Sequence, residues 1–254
     1  MKPILFVLVV ASLAFAQKPA PKKNRQVLLD FRIDRNVAPA KIPAATQRYV
    51  LSKVFPRYLT DQNKCNTQFD ASGNSDPLAA SRKAGQIVPS IFESATGSFT
   101  ASGQSQTLYV ISVSECNASH ADNFGTKRVA IFAGQKLVAE FDANFYENIV
   151  RKTDLNGDGI DELLMTHGYT GQGTLIESAA LLSFENGRLR VIEDFGVVAE
   201  DSCASGFPGS SAQASAVYIA DSAPGQMPKF TRDNYKATCR NPNRWRFVSN
   251  GKLQ

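Results

Sequence analysis

From about residue 100 onward, short β-rich segments folded back on glycine turns recur about every 55 residues, and this recurrence limits the possible folds most. Arg128-Val-Ala-Ile-Phe132 and Lys136-Leu-Val-Ala-Glu-Phe141 flank Ala133-Gly134-Gln135. Ala179-Ala-Leu-Leu-Ser-Phe184 and Arg188-Leu-Arg-Val-Ile192 flank Asn186-Gly187 in the same way. Asn-Gly is a strong hairpin signal because both central residues of a type I′ turn need positive φ. A β-rich run precedes each hairpin, Gln106-Thr-Leu-Tyr-Val-Ile-Ser-Val113 in one case and Glu162-Leu-Leu-Met-Thr166 in the other. Leu108 then matches Leu163, and Phe141 matches Phe195. A fainter third copy has residues 210–219 resembling 102–111, with Arg244–Val248 as its later strand before Asn250-Gly251.

A unit of roughly 50 residues with about four short strands has the size of one propeller blade. Three copies are too few for a closed ring. The expected fold is therefore mainly β, with blade-like antiparallel repeats in an open or irregular propeller-like stack over residues 87–254. A non-repeating β-sandwich is the competing architecture.

The N-terminal third is different in character. Residues 1–16 read as a secretory signal peptide, with Lys2 as the positive end, a short apolar run over 4–15, and Ala14-Phe15-Ala16 before a cut at Gln17. Residues 17–26 form a basic Pro/Lys linker, and 27–86 a small helical section. Within it, 27–34 alternates loosely as one strand. A helix is expected from Pro43 to Phe55, with Ala45, Tyr49, Val50 and Val54 on one face and Pro56 as its stop. After a polar loop over 61–76, Ser75-Asp76-Pro77 signals a second short helix fading near Gly85.

Composition narrows the function classes. The net charge of +5 falls to +4 once Lys2 is removed, and much of the remainder sits in the linker. No basic stripe with interleaved aromatics marks a nucleic-acid face. Beyond the leader, no apolar run reaches the roughly 18 residues of a membrane span. Secreted or periplasmic localisation is expected. All four cysteines, Cys65, Cys116, Cys203 and Cys239, lie in the exported part, and no C-x-x-C pair exists. Two disulfides are expected, and the pairing Cys65–Cys116 with Cys203–Cys239 closes the shorter loops.

One motif carries sharp chemistry. Asp154-Leu-Asn156-Gly-Asp158-Gly159-Ile160-Asp161-Glu162 places oxygen ligands at loop positions 1, 3 and 5, a carbonyl at 7 and a carboxylate at 9. That set can wrap a hard cation such as calcium, and the glycine at position 6 allows the sharp turn. The expected ligands are Asp154, Asn156, Asp158, the carbonyl of Ile160, and Glu162, with Asp161 pointing away or adding charge from outside. A helix-loop-helix calcium hand needs Glu at position 12, where Met165 stands. The segment instead resembles the FG-GAP or VCBS-type propeller repeat, whose D-x-N-G-D-G-x-x-[DE]-L runs straight into a strand. The resemblance covers residues 153–165 and, more loosely, 97–195. It implies a calcium-stabilised blade loop in an extracellular setting. At the sequence offset, Phe99, Ala101, Gly103 and Thr107 stand where the first copy would carry ligands.

Catalytic signatures are sparse. His120 lies in a polar loop and His167 closes the run after the calcium motif. No G-x-S-x-G elbow, H-E-x-x-H pair or P-loop occurs, and Ser249-Asn-Gly-Lys252 falls in a terminal turn. Asn117-Ala-Ser119 is a glycosylation sequon only in a glycosylating host. Two functions follow: a non-enzymatic exported binding or structural module for an extracellular protein or glycan, or a secreted hydrolase using the β repeats as scaffold. A histidine or paired carboxylates converging in a cleft would separate them.

Overall fold

The computed structural model describes residues 25–33, 41–55, 87–115, 126–143, 146–221, 223 and 225–251. The segments expected as a leader and as a second helix near Pro77, together with Cys65, Cys116, Asn117 and His120, lie outside the described residues.

Within them the chain is mainly β. Its elements are β1 (Gln26–Asp30), α1 (Ala44–Val54), β2 (Ile87–Gly97), β3 (Gln106–Glu115), β4 (Thr126–Ala133), β5 (Lys136–Asp142) and β6 (Asn148–Thr153). There follow β7 (Glu162–Gly171), β8 (Thr174–Ser183), β9 (Arg190–Asp201), β10 (Ser211–Asp221), β11 (Lys229–Thr238) and β12 (Asn241–Asn250). Strands β2 to β5 form a four-stranded antiparallel meander. Strands β6 to β12 continue in chain order as one sheet, strongly curled into a half-barrel. β1 joins it by pairing with β10, so the strand expected in the N-terminal section belongs to the β body.

β10 divides one edge between two partners. Ala212 and Ala214 face Asp201 and Ala199 of β9, whereas Ala216 and Ile219 face Asp30 and Gln26 of β1. β1 thus fills the place where β9 diverges, and its Leu28 and Leu29 are buried there. Its position beside β10 matches that of β2 beside β3 and β6 beside β7.

Three apolar layers follow from strand alternation. Leu108, Val110, Val129 and Ile131 of the smaller sheet pack on Leu163, Met165, Ala180 and Leu182 of the larger one. The other face of β7 and β8, carrying Leu164, Ala179 and Leu181, packs on Leu28, Leu29, Ala214 and Val217. On the outer face of the smaller sheet, Ile111, Ala130 and Phe132 are covered by Val50, Leu51 and Phe55 from α1 and its end. The helix starts after Pro43, has Lys53 in its last turn, and stops at Phe55 just before Pro56, where the missing N–H and ring clash end it. At Asn186 and Gly187, φ is 56° and 66°, the positive values for which Asn-Gly is suited.

A disulfide joins Cys203 to Cys239 with Cα atoms 5.3 Å apart, tying the β9–β10 connection to the turn between β11 and β12. The other expected pair lies outside the described residues. The bridge spans a sequence separation of 36 residues. Chain-entropy reasoning gives a loop of this length about 4 kcal/mol as an upper figure. Non-reducing peptide mapping should return a Cys203–Cys239 linkage. Replacing both residues by serine should lower the unfolding free energy in urea by about 2–4 kcal/mol. A map joining Cys203 to another cysteine would contradict this arrangement.

Candidate functional site

The expected ligands all lie on or at the end of the turn linking β6 to β7. Asp154 organises it, because its carboxylate can accept several N–H donors at once. Its Oδ1 accepts the N–H of Gly157 at 2.7 Å and of Asp158 at 3.2 Å, and its Oδ2 accepts that of Gly159 at 2.9 Å. Asn156 Oδ1 accepts from Asp158 N–H at 3.1 Å, and Asp158 Oδ1 from Ile160 N–H at 2.7 Å. The Asn156 side-chain amide donates to Asp158 Oδ2 at 2.8 Å, while the backbone carbonyl of Asn156 accepts the Gly225 N–H at 2.9 Å. Short polar side chains bonding their own backbone in this way suit a tight turn.

Glu162 opens β7 and closes the loop. Its side chain is buried, with the residue only 2% exposed, and Oε2 accepts the Leu155 N–H at 2.9 Å. Burial raises its pKa to about 7, and the negative charges of Asp158 and Asp154 push the same way. Among the described residues, no three His, Cys, Asp or Glu side chains are gathered as a metal centre. The turn therefore brings Asp154, Asn156 and Asp158 together through hydrogen bonds rather than as a preformed cage. In donor chemistry the set fits calcium: every candidate atom is a hard oxygen, and the buried Glu162 sits among negative neighbours that a cation would offset.

Asp161 has a different task from the expected ligands. Its N–H donates to the Ser98 carbonyl at 2.7 Å, and its Oδ2 accepts the Ser98 N–H at 2.8 Å. Lys152 Nζ lies 3.5 Å from the same oxygen. Asp161 thus clamps this turn to the one between β2 and β3.

The two turns are of equal length, residues 98–105 and 154–161, and close on equivalent pairs, Gly97 with Gln106 and Thr153 with Glu162. Gln106 Oε1 accepts the Phe99 N–H at 2.8 Å, as Glu162 does for Leu155. Gly103 and Gly159 both adopt positive φ, 71° and 82°. The structural match is therefore one residue away from the sequence offset. Ser98, Thr100, Ser102 and Gln106 occupy the ligand positions, not Phe99, Ala101, Gly103 and Thr107. The first turn keeps side-chain oxygens there but carries no carboxylate, and nothing in the sequence pattern singled out Gln106.

Other titratable groups lie away from the turn. His167 is half-buried, with its ring edge-on to Tyr146 at 5.4 Å between centroids, and burial lowers its pKa. Glu177 on β8 lies across from Gly168, where a Cβ would come within 2.7 Å of its Oε1. Burial first, and then the charge of Glu147, raise Glu177 to about 7. Glu147 itself pairs with Lys127 at 3.1 Å. Compared with protein-family models, curated proteins and solved structures, the chain matches none.

Two outcomes are expected. A Cβ at position 159 would collide with the Ser102 hydroxyl on top of the unfavourable φ, whereas one at Gly103 meets open space. Gly159→Ala should therefore cost about 2–3 kcal/mol in chemical denaturation and Gly103→Ala about 1 kcal/mol. Equal losses would contradict the contact between the turns. Glu177 has a folded pKa above its ordinary value, so its stabilising contribution is complete below about pH 4.5 and is lost as pH rises through about 7. Glu177→Gln should flatten the stability profile over that window and leave the variant the more stable protein at pH 8. An unchanged profile would show that the carboxyl is solvated.

Proposed function

We propose that this chain is an exported, calcium-stabilised, non-enzymatic binding or structural module built from FG-GAP/VCBS-like units, with an extracellular protein or glycan as partner. The observation that carries the reading is the D-x-N-x-D-G-x-x-E turn between β6 and β7, with a buried acid at its last position. Asp154, Asn156, Asp158, the Ile160 carbonyl and Glu162 would hold the ion. Bound there, calcium supplies positive charge and cross-links the turn, not chemistry.

The stacking of the layers supports an open, propeller-like series. Matching Gln106 to Glu162 makes Leu108 equivalent to Leu164. Leu108 points from the first meander to the second, and Leu164 from the second to the layer of β1 and β10. Each unit would then present the same face to the next, with β1 supplying the first strand of the third unit and α1 covering the free face of the first. A disulfide suits an oxidising compartment, and among the described residues no helix is long and apolar enough to cross a membrane.

The test is thermal unfolding of the mature chain in millimolar calcium and in EDTA. Extracellular calcium modules have dissociation constants around 10⁻⁴ to 10⁻³ M. At about 1 mM ion, linkage gives roughly 0.4–1.4 kcal/mol, a rise of a few degrees in Tm. Asp158→Ala should abolish the rise, and Glu140→Gln, outside the turn, should retain it. Coincident curves for the unmutated protein would reduce the turn to an acidic loop.

A further inference from the structure

The pairing of β12 with β11 ends where Asn250 faces Asp233, so among the described residues 229–231 have no β12 partner on that side. A cavity of about 410 Å³ opens there. Its deep wall is Phe195, Val217 and the guanidinium-bearing Arg232, at 5%, 0% and 8% exposure, and Phe230 continues the apolar side. The Phe195 and Phe230 rings meet edge to face at 5.5 Å. That volume and lining suit a small organic molecule.

Arg232 is the unusual member. Its Nε donates to Ser215 Oγ at 2.9 Å and Asn234 Oδ1 at 3.1 Å, and its Nη1 donates to the Phe195 carbonyl at 2.6 Å. Its Nη2 donates to the Val197 carbonyl. Every one of these acceptors is neutral, and among the described residues no carboxylate pairs with it. Burial lowers its pKa to about 10, so it remains cationic at neutral pH. A buried cation without a counter-charge is costly, and the usual compensation is a carboxylate or phosphate at hydrogen-bond distance. Guanidinium has five N–H groups, and these bonds engage three, leaving two for a ligand.

The second arginine at the cavity is already neutralised, since Arg25 pairs with Asp233 and stacks on Tyr218 at 4.0 Å. Glu193 and Asp194 also line the cavity, but both are exposed and stand at its mouth. They disfavour a bulky polyanion such as a nucleotide. They leave room for one carboxylate at the deep end.

We propose that this cavity is a binding site for an organic monocarboxylate with a compact apolar body, its carboxylate on Arg232 and its body against Phe195, Phe230 and Val217. The proposal adds a small-molecule ligand to the binding-module reading, beyond its protein or glycan partner, and does not depend on the calcium turn.

The experiment titrates the mature protein with phenylacetate and hexanoate, and with phenylacetamide and hexanamide as neutral matches, by calorimetry and thermal shift. A charge-assisted bond to a buried guanidinium should make each acid bind about tenfold tighter than its amide, or better. Arg232→Gln should bring that ratio to about one. Because Arg232 also holds β9, Thr231→Trp serves as a second variant. It places a bulky, strand-compatible side chain at the exposed mouth and should abolish binding while Tm and the calcium response stay as in the unmutated protein. Equal affinity for acid and amide, binding of neither at 10 mM, or unimpaired binding by Thr231→Trp would each overturn the site. The calcium shift, read on the same samples, reports separately on the module reading.

Discussion

The structure depends on two central strands being buried on both faces. β7 and β8 carry Leu163, Met165, Ala180 and Leu182 toward the smaller sheet, and Leu164, Ala179 and Leu181 toward the layer of β1 and β10. A strand buried on both sides loses the alternation of apolar and polar residues and reads as a continuous hydrophobic run. Everything outside can then be understood as covering. The meander β2–β5 covers one face, α1 covers the far side of that meander, and the curl of the larger sheet covers the other face. Transfer energies of about 25 cal/mol per Å² make this shared burial the main favourable term.

The third layer is held in a different way. Its strands are rich in alanine and serine on β10 and in charged residues on β11, so polar pairing replaces bulk. Arg232, Asn234 and Ser215 bond one another, and Asn234 donates on to the Gly251 carbonyl at 2.8 Å. Asp233 pairs with Arg25 and accepts from Asn250 at 2.7 Å. Arg32, paired with Asp30, stacks 3.9 Å over Tyr235. Such networks stabilise only when fully satisfied, because an unpaired buried polar group is costly. The disulfide from Cys203 to Cys239 spans this same layer.

How much of this was legible follows from the same physics. Both hairpins, the helix from Ala44 and the Cys203–Cys239 pair could be read, because the Gly134 and Asn186-Gly187 turns, Pro43 and Pro56 as punctuation, and cysteine spacing act locally. β11 could not, since three of its four buried positions are Arg232, Asp233 and Asn234, which look like a loop until their partners are known. β1 was legible as a strand but not its partner, because its pairing with β10 joins residues far apart in the chain. The offset between the two turns was missed by one residue for a definite reason. In Glu162-Leu-Leu-Met the apolar run leaves both registers equally plausible, and only strand pairing selects one. The D-x-N-x-D-G-x-x-E motif was legible, whereas the clamp by Asp161 and the counterpart role of Gln106 appear only in three dimensions.

Those two turns differ in the charge that they bury. Each needs an oxygen at its last position to accept the N–H of the second residue in the turn, and Gln106 and Glu162 both provide it. Gln106 does so without charge, and its amide donates to Thr100 Oγ1 at 2.6 Å and to Gln104 Oε1 at 2.9 Å, so the first turn is complete by itself. Glu162 is buried to the same 2% exposure but brings a carboxyl next to Asp154 and Asp158. Its cost is met either by keeping the proton or by a positive charge in the turn, and at neutral pH the second needs no protonation. Because Asp161 and Gly159 of this turn rest on Ser98 and Ser102 of the first, ordering one turn also fixes the seam between the two meanders. A calcium ion here would therefore act on how the units pack, beyond the loop that holds it.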